Sequence, residues 1–413
     1  MSTPLSSSSG KKFSGRGGRI WTSGFLLLGV LVSPIGSLLV LWHAHIDTDP
    51  QLIGLHFLAL NVGYVTASAV TQRAILRLSV RIVAVAAALL ATLSLVGLLL
   101  AAPPSPALWR VLGLGCLGYS AGTLLTALLF ALGDFSASDL PALTNRAGIL
   151  FGSGTFVATA IIGATYFTGA QFGVALLAII PTVFLVIFAT NAPPPISGTR
   201  SAQQRLGQSA DHRRSLGAVL FSILIFLQFG NEWAIAGWLP LFLIRHLGAN
   251  PAWSIGVLAV YFLALTFGRV LVGKLLPGIG PRKLLFTAVV TATAGCLALS
   301  FSASFVSASV AVIIIAVGFA PIYPLVAETV DDRFRYRPSF YSGLFSIAIT
   351  GAMSAPWLLG YIDRAFGIRF VMLVPAVGSV AVLFCTLLFM FEARVMGARL
   401  PSPQRELSAG AKR

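Results

Sequence analysis

The feature that most constrains this chain is a series of apolar runs long enough to cross a lipid bilayer. About 20 apolar residues span the hydrocarbon core as a helix. The segments 82–102 and 147–189 reach this length with no charged residue inside, and the second is long enough for two spans. Charged residues make up only 10% of the chain, against roughly 25% in an average soluble domain. We therefore expect an all-α membrane protein.

Polar, proline-rich and glycine-rich breaks divide the chain into twelve predicted transmembrane helices. The helices are expected near residues 20–42, 52–71, 80–101, 108–132, 147–167, 172–190, 216–244, 254–272, 283–301, 305–327, 340–362 and 368–391. A stretch rich in Pro, Ser, Gln and Arg, 191–215, splits them into two groups of six. The predicted organisation is a disordered cytosolic tail (1–19), an N-terminal bundle (20–190), a cytosolic linker (191–215), a C-terminal bundle (216–391) and a second cytosolic tail (392–413).

The distribution of basic residues predicts the orientation in the membrane, because Lys and Arg are retained in cytoplasmic loops. If the N-terminus is cytosolic, all but four of the 28 basic residues fall on the cytosolic side; the exceptions are Arg110, Arg245, Arg364 and Arg369. The net charge of +16 is dispersed between apolar runs rather than clustered on one surface, so we expect no nucleic-acid partner. The chain is predicted to lie in the cell's inner (plasma) membrane as a multi-pass protein, with the lipid bilayer as its surroundings.

The two groups of six helices resemble each other. The fifth helix carries Gly148, Gly152 and Gly163, and the eleventh carries Gly351 and Gly360 in the matching slot. Small residues let helices approach closely in lipid. Two like halves around a long linker favour two pseudo-symmetric bundles that rock about a site between them.

These features together resemble the major facilitator superfamily over about residues 20–392. The segment 108–115 is similar to the fourth-helix motif that begins with an arginine, and 273–283 is similar to the signature loop between the second and third helices of a half, although the acidic residue expected near Pro277 is missing. The resemblance implies that Arg269, Arg282 and Lys283 help to close the cytosolic side. In the first half, the loop 72–81 has basic residues but neither the glycines nor the acid.

Two further segments resemble the fucose-permease-like and related sugar:proton branch of that family. They are 230–240 in the seventh helix and 318–324 in the tenth. The resemblance implies a proton-coupled carrier of sugars or similar polar solutes.

Glu232 is the residue predicted to carry the proton. It falls near the middle of an otherwise uncharged helix, where burying an ionised carboxylate costs several kcal/mol. Such a group should face a cavity or take up a proton. A purely structural hydrogen bond to a neighbouring helix is the alternative.

Gln228 and Asn231 lie at helical spacing with Glu232, and Trp238 continues along nearly the same side. Amides next to an indole suit a sugar, because hydroxyl groups bond the amides and the C–H face stacks on the ring. Trp238 could equally belong to the aromatic belt at the membrane interface, and for Trp233 we expect the belt.

Other polar residues in the apolar runs are candidates for the pathway. Asn61 and Tyr64 form a stripe on the second helix, and Tyr119 lies on a similar stripe of the fourth. Tyr323 lies between Pro321 and Pro324, which should bend or break the tenth helix. Arg110 begins the fourth helix near the outer face, where it could tune the pKa of a carboxylate that carries the proton or extend to water.

The sequence therefore predicts a secondary active transporter that moves a small-molecule solute with protons by alternating access. No nucleotide-binding loop of the GxxxxGK[ST] type is present, so we expect no cofactor and no direct use of ATP. We expect a monomer, no metal site and no enzymatic activity, since Glu232 alone qualifies as a membrane-embedded acid. A proton-driven exporter of drugs or metabolites, and a non-transporting membrane receptor, stay open as alternatives.

Overall fold

The fold is all-α, and the twelve predicted spans are present. The computed structural model describes residues 16–46, 48–132, 140–193, 216–275, 280–326 and 338–399. Most of the predicted tails and of the predicted linker lie outside these residues, whereas 16–19 and 392–399 belong to the first and last helices. The helices are α1 (Arg16–Val32 and Ile35–Leu41), α2 (Pro50–Arg77), α3 (Val80–Leu100), α4 (Ala107–Leu132), α5 (Leu140–Ala164), α6 (Ala170–Thr190), α7 (Leu216–Leu247), α8 (Pro251–Leu275), α9 (Pro281–Ser300), α10 (Phe305–Phe319), α11 (Pro338–Phe366) and α12 (Ile368–Val371 and Leu373–Arg399).

Local sequence explains several helix ends. Asp49 caps α2 by accepting a hydrogen bond from the Gln51 backbone, and Pro50 occupies the first turn, where no N–H is needed. Ser79 caps α3 in the same way. The predicted loop 72–81 is therefore wrong: α2 continues to Arg77 and α3 begins at Val80, because the polar residues after 71 are good helix formers that extend the helix beyond its apolar part.

Two spans are interrupted by proline. In α1 the helix stops at Val32 and resumes at Ile35, on either side of Ser33 and Pro34. In α10 the helix ends at Phe319 before Pro321, as predicted, although the apolar span continues to Val326. Each proline removes a backbone donor, which leaves one carbonyl of the preceding turn without its helical partner.

The helices form the two six-helix bundles of the predicted fold class, α1–α6 and α7–α12. Glycines allow close packing within each bundle. A methyl group on Gly29 of α1 would lie 2.1 Å from the carbonyl oxygen of Phe151 in α5, and one on Gly351 of α11 would lie 2.1 Å from that of Phe226 in α7. In lipid no hydrophobic effect drives helices together, so their association depends on close packing of this kind.

The outer surface of the bundles is apolar. Eleven of the described helices are long and apolar enough to cross a bilayer. Large side chains such as Leu93 and Phe384 are more than half exposed. In a membrane protein these residues contact lipid rather than water.

Successive helices alternate in direction, so their ends define two faces. The linker face carries the beginning of α1, the end of α6 and the beginning of α7. The far face carries the opposite ends, including the start of α2 and the end of α11.

The two bundles touch closely near the far face. A methyl group on Gly36 of α1 would lie 2.4 Å from the carbonyl oxygen of Ala236 in α7, and one on Gly54 of α2 would lie 2.7 Å from that of Trp357 in α11. At the end of α11, Arg364 donates a hydrogen bond to Gln51 Oε1 (2.5 Å) and lies 3.7 Å from the Asp49 carboxylate. These contacts close the far face in this structure.

A third contact between the bundles, α5 against α8, runs along the membrane depth. Glycines of α5 meet α8 at three levels: Gly163 at Ile255, Gly152 at Thr266 and Gly148 at Arg269. This contact therefore reaches the mid-depth region where Glu232 lies.

Candidate functional site

Glu232 forms a buried ion pair with Arg269. Glu232 lies at the midpoint of α7, and its Oε1 accepts a hydrogen bond from Arg269 Nη2 of α8 at 3.2 Å. Only 8% of the Glu232 side chain and 11% of the Arg269 side chain are exposed. Each charge offsets part of the other's desolvation cost, and removing one partner would leave the other uncompensated.

Arg269 also bonds to the first bundle. Its Nη1 donates a hydrogen bond to the backbone carbonyl of Gly148 in α5 at 3.1 Å. Glycine at 152 keeps this approach open, since a methyl group there would lie 2.3 Å from Thr266 Oγ1 and 3.2 Å from Arg269 Nη1. The guanidinium thus connects the Glu232 carboxylate of one bundle to the backbone of the other.

Aromatic residues surround this ion pair. The Tyr261 hydroxyl donates to the backbone carbonyl of Glu232 at 3.2 Å. Trp233 packs between Phe151 of α5 and Phe262 of α8, with ring centroids 6.3 and 6.4 Å away. Trp233 is buried, so its predicted place in the interfacial belt is wrong: at mid-helix its indole fills the junction of the bundles.

Tyr323 lies on the same side of the second bundle. Its ring packs edge-on against Phe229 of α7 at 5.4 Å, just after the break in α10. The phenol is close enough to Arg269 to interact with its charge. The structure therefore brings Glu232, Arg269 and Tyr323 into one region.

Asn61 and Tyr64 lie on α2 of the first bundle, one and two turns after Phe57. Phe57, one turn earlier on α2, packs against Gly237 of α7, so residues at helical spacing after it also face the second bundle. The Asn61 Oδ1 and the Tyr64 hydroxyl are buried and have no hydrogen-bond partner. Their roles in solute binding stay predictions.

Asn231 and Trp238 face other parts of the second bundle, and Gln228 is buried without a hydrogen-bond partner. A methyl group on Gly378 of α12 would lie 2.1 Å from Asn231 Oδ1, so this amide points towards α12. Neither polar atom of Gln228 has a partner. The Trp238 indole is fully buried and donates to the Pro356 carbonyl at 2.9 Å, which holds α7 to α11. Their roles in solute binding stay predictions.

Tyr119 and Arg110 lie on α4, and the contacts seen for them are within the first bundle. The backbone nitrogen of Tyr119 would be 2.8 Å from a methyl group on Gly63, so this part of α4 packs on α2. Arg110 donates to the carbonyl of Ser105 at 3.2 Å, and its guanidinium lies 5.6 Å from the centre of the Trp42 ring. The contacts seen for Arg110 are thus with the loop before α4 and the end of α1.

Arg282 and Lys283 are exposed at the linker face, at the beginning of α9. Residues 276–279 of the signature loop lie outside the described residues. The structure separates these two residues from Arg269, which the sequence had grouped with them as a gate. Among the described residues, no group of three His, Cys, Asp or Glu side chains could hold a metal ion.

Sequence reasoning identified Glu232 but not its partner. Arg269 interrupts the apolar run of α8 about one and a half turns before its end, at a depth where a cation in lipid needs a counter-charge. That isolated charge was the available signal. Tyr261 gave none, because a tyrosine in an apolar helix is equally suited to packing.

Comparison with known families gives one match over most of the chain. The sequence model described as Major Facilitator Superfamily matches residues 20–353. "Membrane protein MosC" of Rhizobium meliloti is 26% identical over 241 residues, which cover 57% of this chain and 56% of MosC. The match therefore spans little more than half the length of that protein.

Several solved structures share the fold. The xylose transporter XylE of E. coli, in a partially occluded inward-open conformation, superposes with a TM-score of 0.72 at 16% identity, covering 94% of this chain and 98% of XylE. The fucose:proton symporter FucP of E. coli gives 0.62 at 16% identity, with 90% and 98% covered. The nucleoside transporter NupG gives 0.67 at 14% identity, with the same coverage.

Proposed function

Because this chain belongs to the major facilitator superfamily, we propose that it is a secondary active transporter that couples proton movement to that of a small polar solute such as a sugar. The observation that carries the proposal is the mid-depth Glu232–Arg269 pair with its bond to Gly148 across the bundles. Glu232 would carry the proton. The contact of Arg269 with the first bundle would depend on whether Glu232 is charged.

The coupling follows from electrostatics. While Glu232 is ionised, Arg269 is held between the carboxylate and the Gly148 carbonyl. Protonation of Glu232 removes the counter-charge, so that the guanidinium has to find another partner, such as a solute hydroxyl, or water. The contact between α5 and α8 would then differ between the two protonation states, which is what a coupled carrier requires.

The unpartnered polar atoms support a polar solute. Asn61 Oδ1 and the Tyr64 hydroxyl are buried without hydrogen bonds, on the side of α2 that helical spacing after Phe57 turns towards the second bundle. Such groups cost free energy until a partner arrives. A sugar offers hydroxyl groups that both donate and accept. Fucose and xylose, the solutes of the proton symporters that share this fold, are the first to test.

We further propose that the linker face is cytosolic and that the protein lies in the inner membrane, since most basic residues fall at that face. The site would then open alternately to the linker face and the far face.

The test is uptake by proteoliposomes that contain the purified full chain. We expect an inward proton gradient to drive accumulation of radiolabelled L-fucose or D-xylose, with proton influx detected by an internal pH dye. A wider panel of sugars and nucleosides that shows no gradient-driven uptake would contradict the proposal. Gradient-driven efflux of a drug or dye in the same vesicles would instead favour an exporter.

A further inference from the structure

Ser33 of α1 and Thr159 of α5 differ from the other buried serines and threonines of the described residues. Every other buried hydroxyl of this kind has a hydrogen-bond partner, usually a carbonyl three or four residues earlier in its own helix. Ser33 Oγ and Thr159 Oγ1 have none, although the residues are only 2% and 0% exposed. A buried hydroxyl without a partner costs free energy until water or a bound ligand supplies one.

The two hydroxyls lie at the same depth. α1 and α5 both begin at the linker face and therefore run parallel. They meet where a methyl group on Gly29 would be 3.0 Å from the Thr155 nitrogen. Ser33 and Thr159 each follow that contact by one helical turn, which places them at a similar depth where α1 and α5 run side by side.

Both residues face the second bundle. One turn after Ser33, Gly36 contacts α7; one turn after Thr159, Gly163 contacts Ile255 of α8. The antiparallel register of α5 and α8 puts Thr159 opposite Ala259, a residue with a small side chain.

The break in α1 adds an acceptor at the same place. Pro34 has no N–H, so the carbonyl of Val30 lacks its usual donor in the helix. Two unpartnered hydroxyls and a carbonyl without its usual helical donor therefore lie close to the bundle interface, nearer the far face than the Glu232–Arg269 pair.

We propose that Ser33 and Thr159 form a subsite that hydrogen-bonds a hydroxyl group of an uncharged solute. The inference rests on the proposed function, because it assigns part of the solute contact to the first bundle. A hydroxyl side chain carries no charge and both donates and accepts, which matches an alcohol. The ion pair on the second bundle would then serve proton coupling, and this subsite would serve recognition.

The first test measures the stability of the ligand-free full chain and does not depend on transport. Ser33→Ala and Thr159→Val remove the unpartnered hydroxyls with little change of shape. The matched controls are Ser37→Ala and Thr155→Val on the same helices, whose hydroxyls donate to Pro34 and Gly152 at 2.9 and 2.7 Å. We expect the first two variants to raise the melting temperature in detergent and the controls to leave it unchanged or lower it. A fall for Ser33→Ala and Thr159→Val equal to that of the controls would overturn the proposal, because it would reveal a partner within the protein.

The second test measures uptake of L-fucose and D-xylose in proteoliposomes. For whichever sugar the wild type transports, Ser33→Ala and Thr159→Val should each raise KM about 3- to 10-fold, the loss of one neutral hydrogen bond. The controls should keep the wild-type KM. The wild type should transport a deoxy analogue that lacks the bonded hydroxyl with a higher KM than the parent sugar. The variants should show no such difference. Unchanged KM in both variants would overturn the subsite. Should the wild type transport no sugar, the proposed function fails, and the stability comparison still supports or overturns the unpartnered state of the two hydroxyls.

Discussion

At the level of single residues, a protonatable group in lipid can drive transport only if its surroundings depend on its charge. Glu232 meets this condition because its partner, Arg269, also bonds to the opposite bundle. The second buried acid, Asp363, does not: it pairs with Arg245 at 2.6 Å, and both residues belong to the second bundle. The two pairs allow a matched comparison.

Glu232→Gln should uncouple the carrier. Glutamine keeps the size and an acceptor oxygen for Arg269, but it cannot exchange a proton. We expect gradient-driven accumulation of a transported sugar to fall to a ratio of about one, as for any site without coupling free energy. Sugar-for-sugar exchange, which needs no net proton movement, should persist. Both rates are measured in the same proteoliposomes.

Asp363→Asn is the control for loss of a buried, paired carboxylate. It should lower the melting temperature, since Arg245 loses its counter-charge, yet it should retain accumulation above the Glu232→Gln level. Full accumulation by Glu232→Gln would remove Glu232 from the mechanism.

At the level of elements, glycines set how closely the bundles approach at the far face. Gly54 meets the backbone of α11, which cannot move aside as a side chain could. A methyl group at this position should therefore destabilise the closed arrangement of the far face rather than the fold of either bundle.

Gly54→Ala is expected to shift the protein towards conformations open at the far face. Overpacking of this kind costs about 1–3 kcal/mol, enough to change the populations of two conformers. The reporter is Phe57→Cys, which lies against Gly237 across the gap, in a chain whose three cysteines are replaced by serine. Its reaction with an impermeant maleimide added at the far face should be faster in the Gly54→Ala background.

Gly97→Ala on α3 is the control, because nothing lies within 4 Å of its added methyl group. It should leave the rate unchanged. Equal rates in the Gly54→Ala and Gly97→Ala backgrounds would show that the α2–α11 contact does not govern the far face.

The elements were predictable because each apolar run carries its own signal of length and turn chemistry. The run 216–244 predicted α7, and Glu232 stood out within it as an isolated charge. The pairing of that charge was not predictable, since helical spacing does not say which residue of α8 lies beside a given residue of α7. The direction of Asn231 towards α12 was missed for a related reason: helical spacing places residues on one side of a helix but does not say which helix that side meets.

At the level of the whole molecule, alternating access requires the contacts at the far face to separate once in each cycle. The close contacts there are of two kinds: backbone packing at Gly36 and Gly54, and the exposed Arg364 interaction with Asp49 and Gln51. An exposed ion pair contributes only about 0–1 kcal/mol, so this contact can form and break without a large barrier. It marks a position where the two bundles can be joined without disturbing either.

Cross-linking Asp49→Cys to Arg364→Cys should stop transport by holding the far face closed. The double variant itself should transport, because little stability is lost with the exposed pair. After treatment with a short bifunctional methanethiosulfonate, we expect net sugar uptake to stop and to return on reduction. The control is Thr92→Cys with Thr182→Cys, whose wild-type hydroxyl oxygens are 3.3 Å apart within the first bundle; that cross-link should leave uptake intact. Undiminished uptake by the cross-linked variant would mean that the far-face ends of α2 and α11 need not separate during the cycle. That result would contradict a mechanism in which the two bundles rock about a central site.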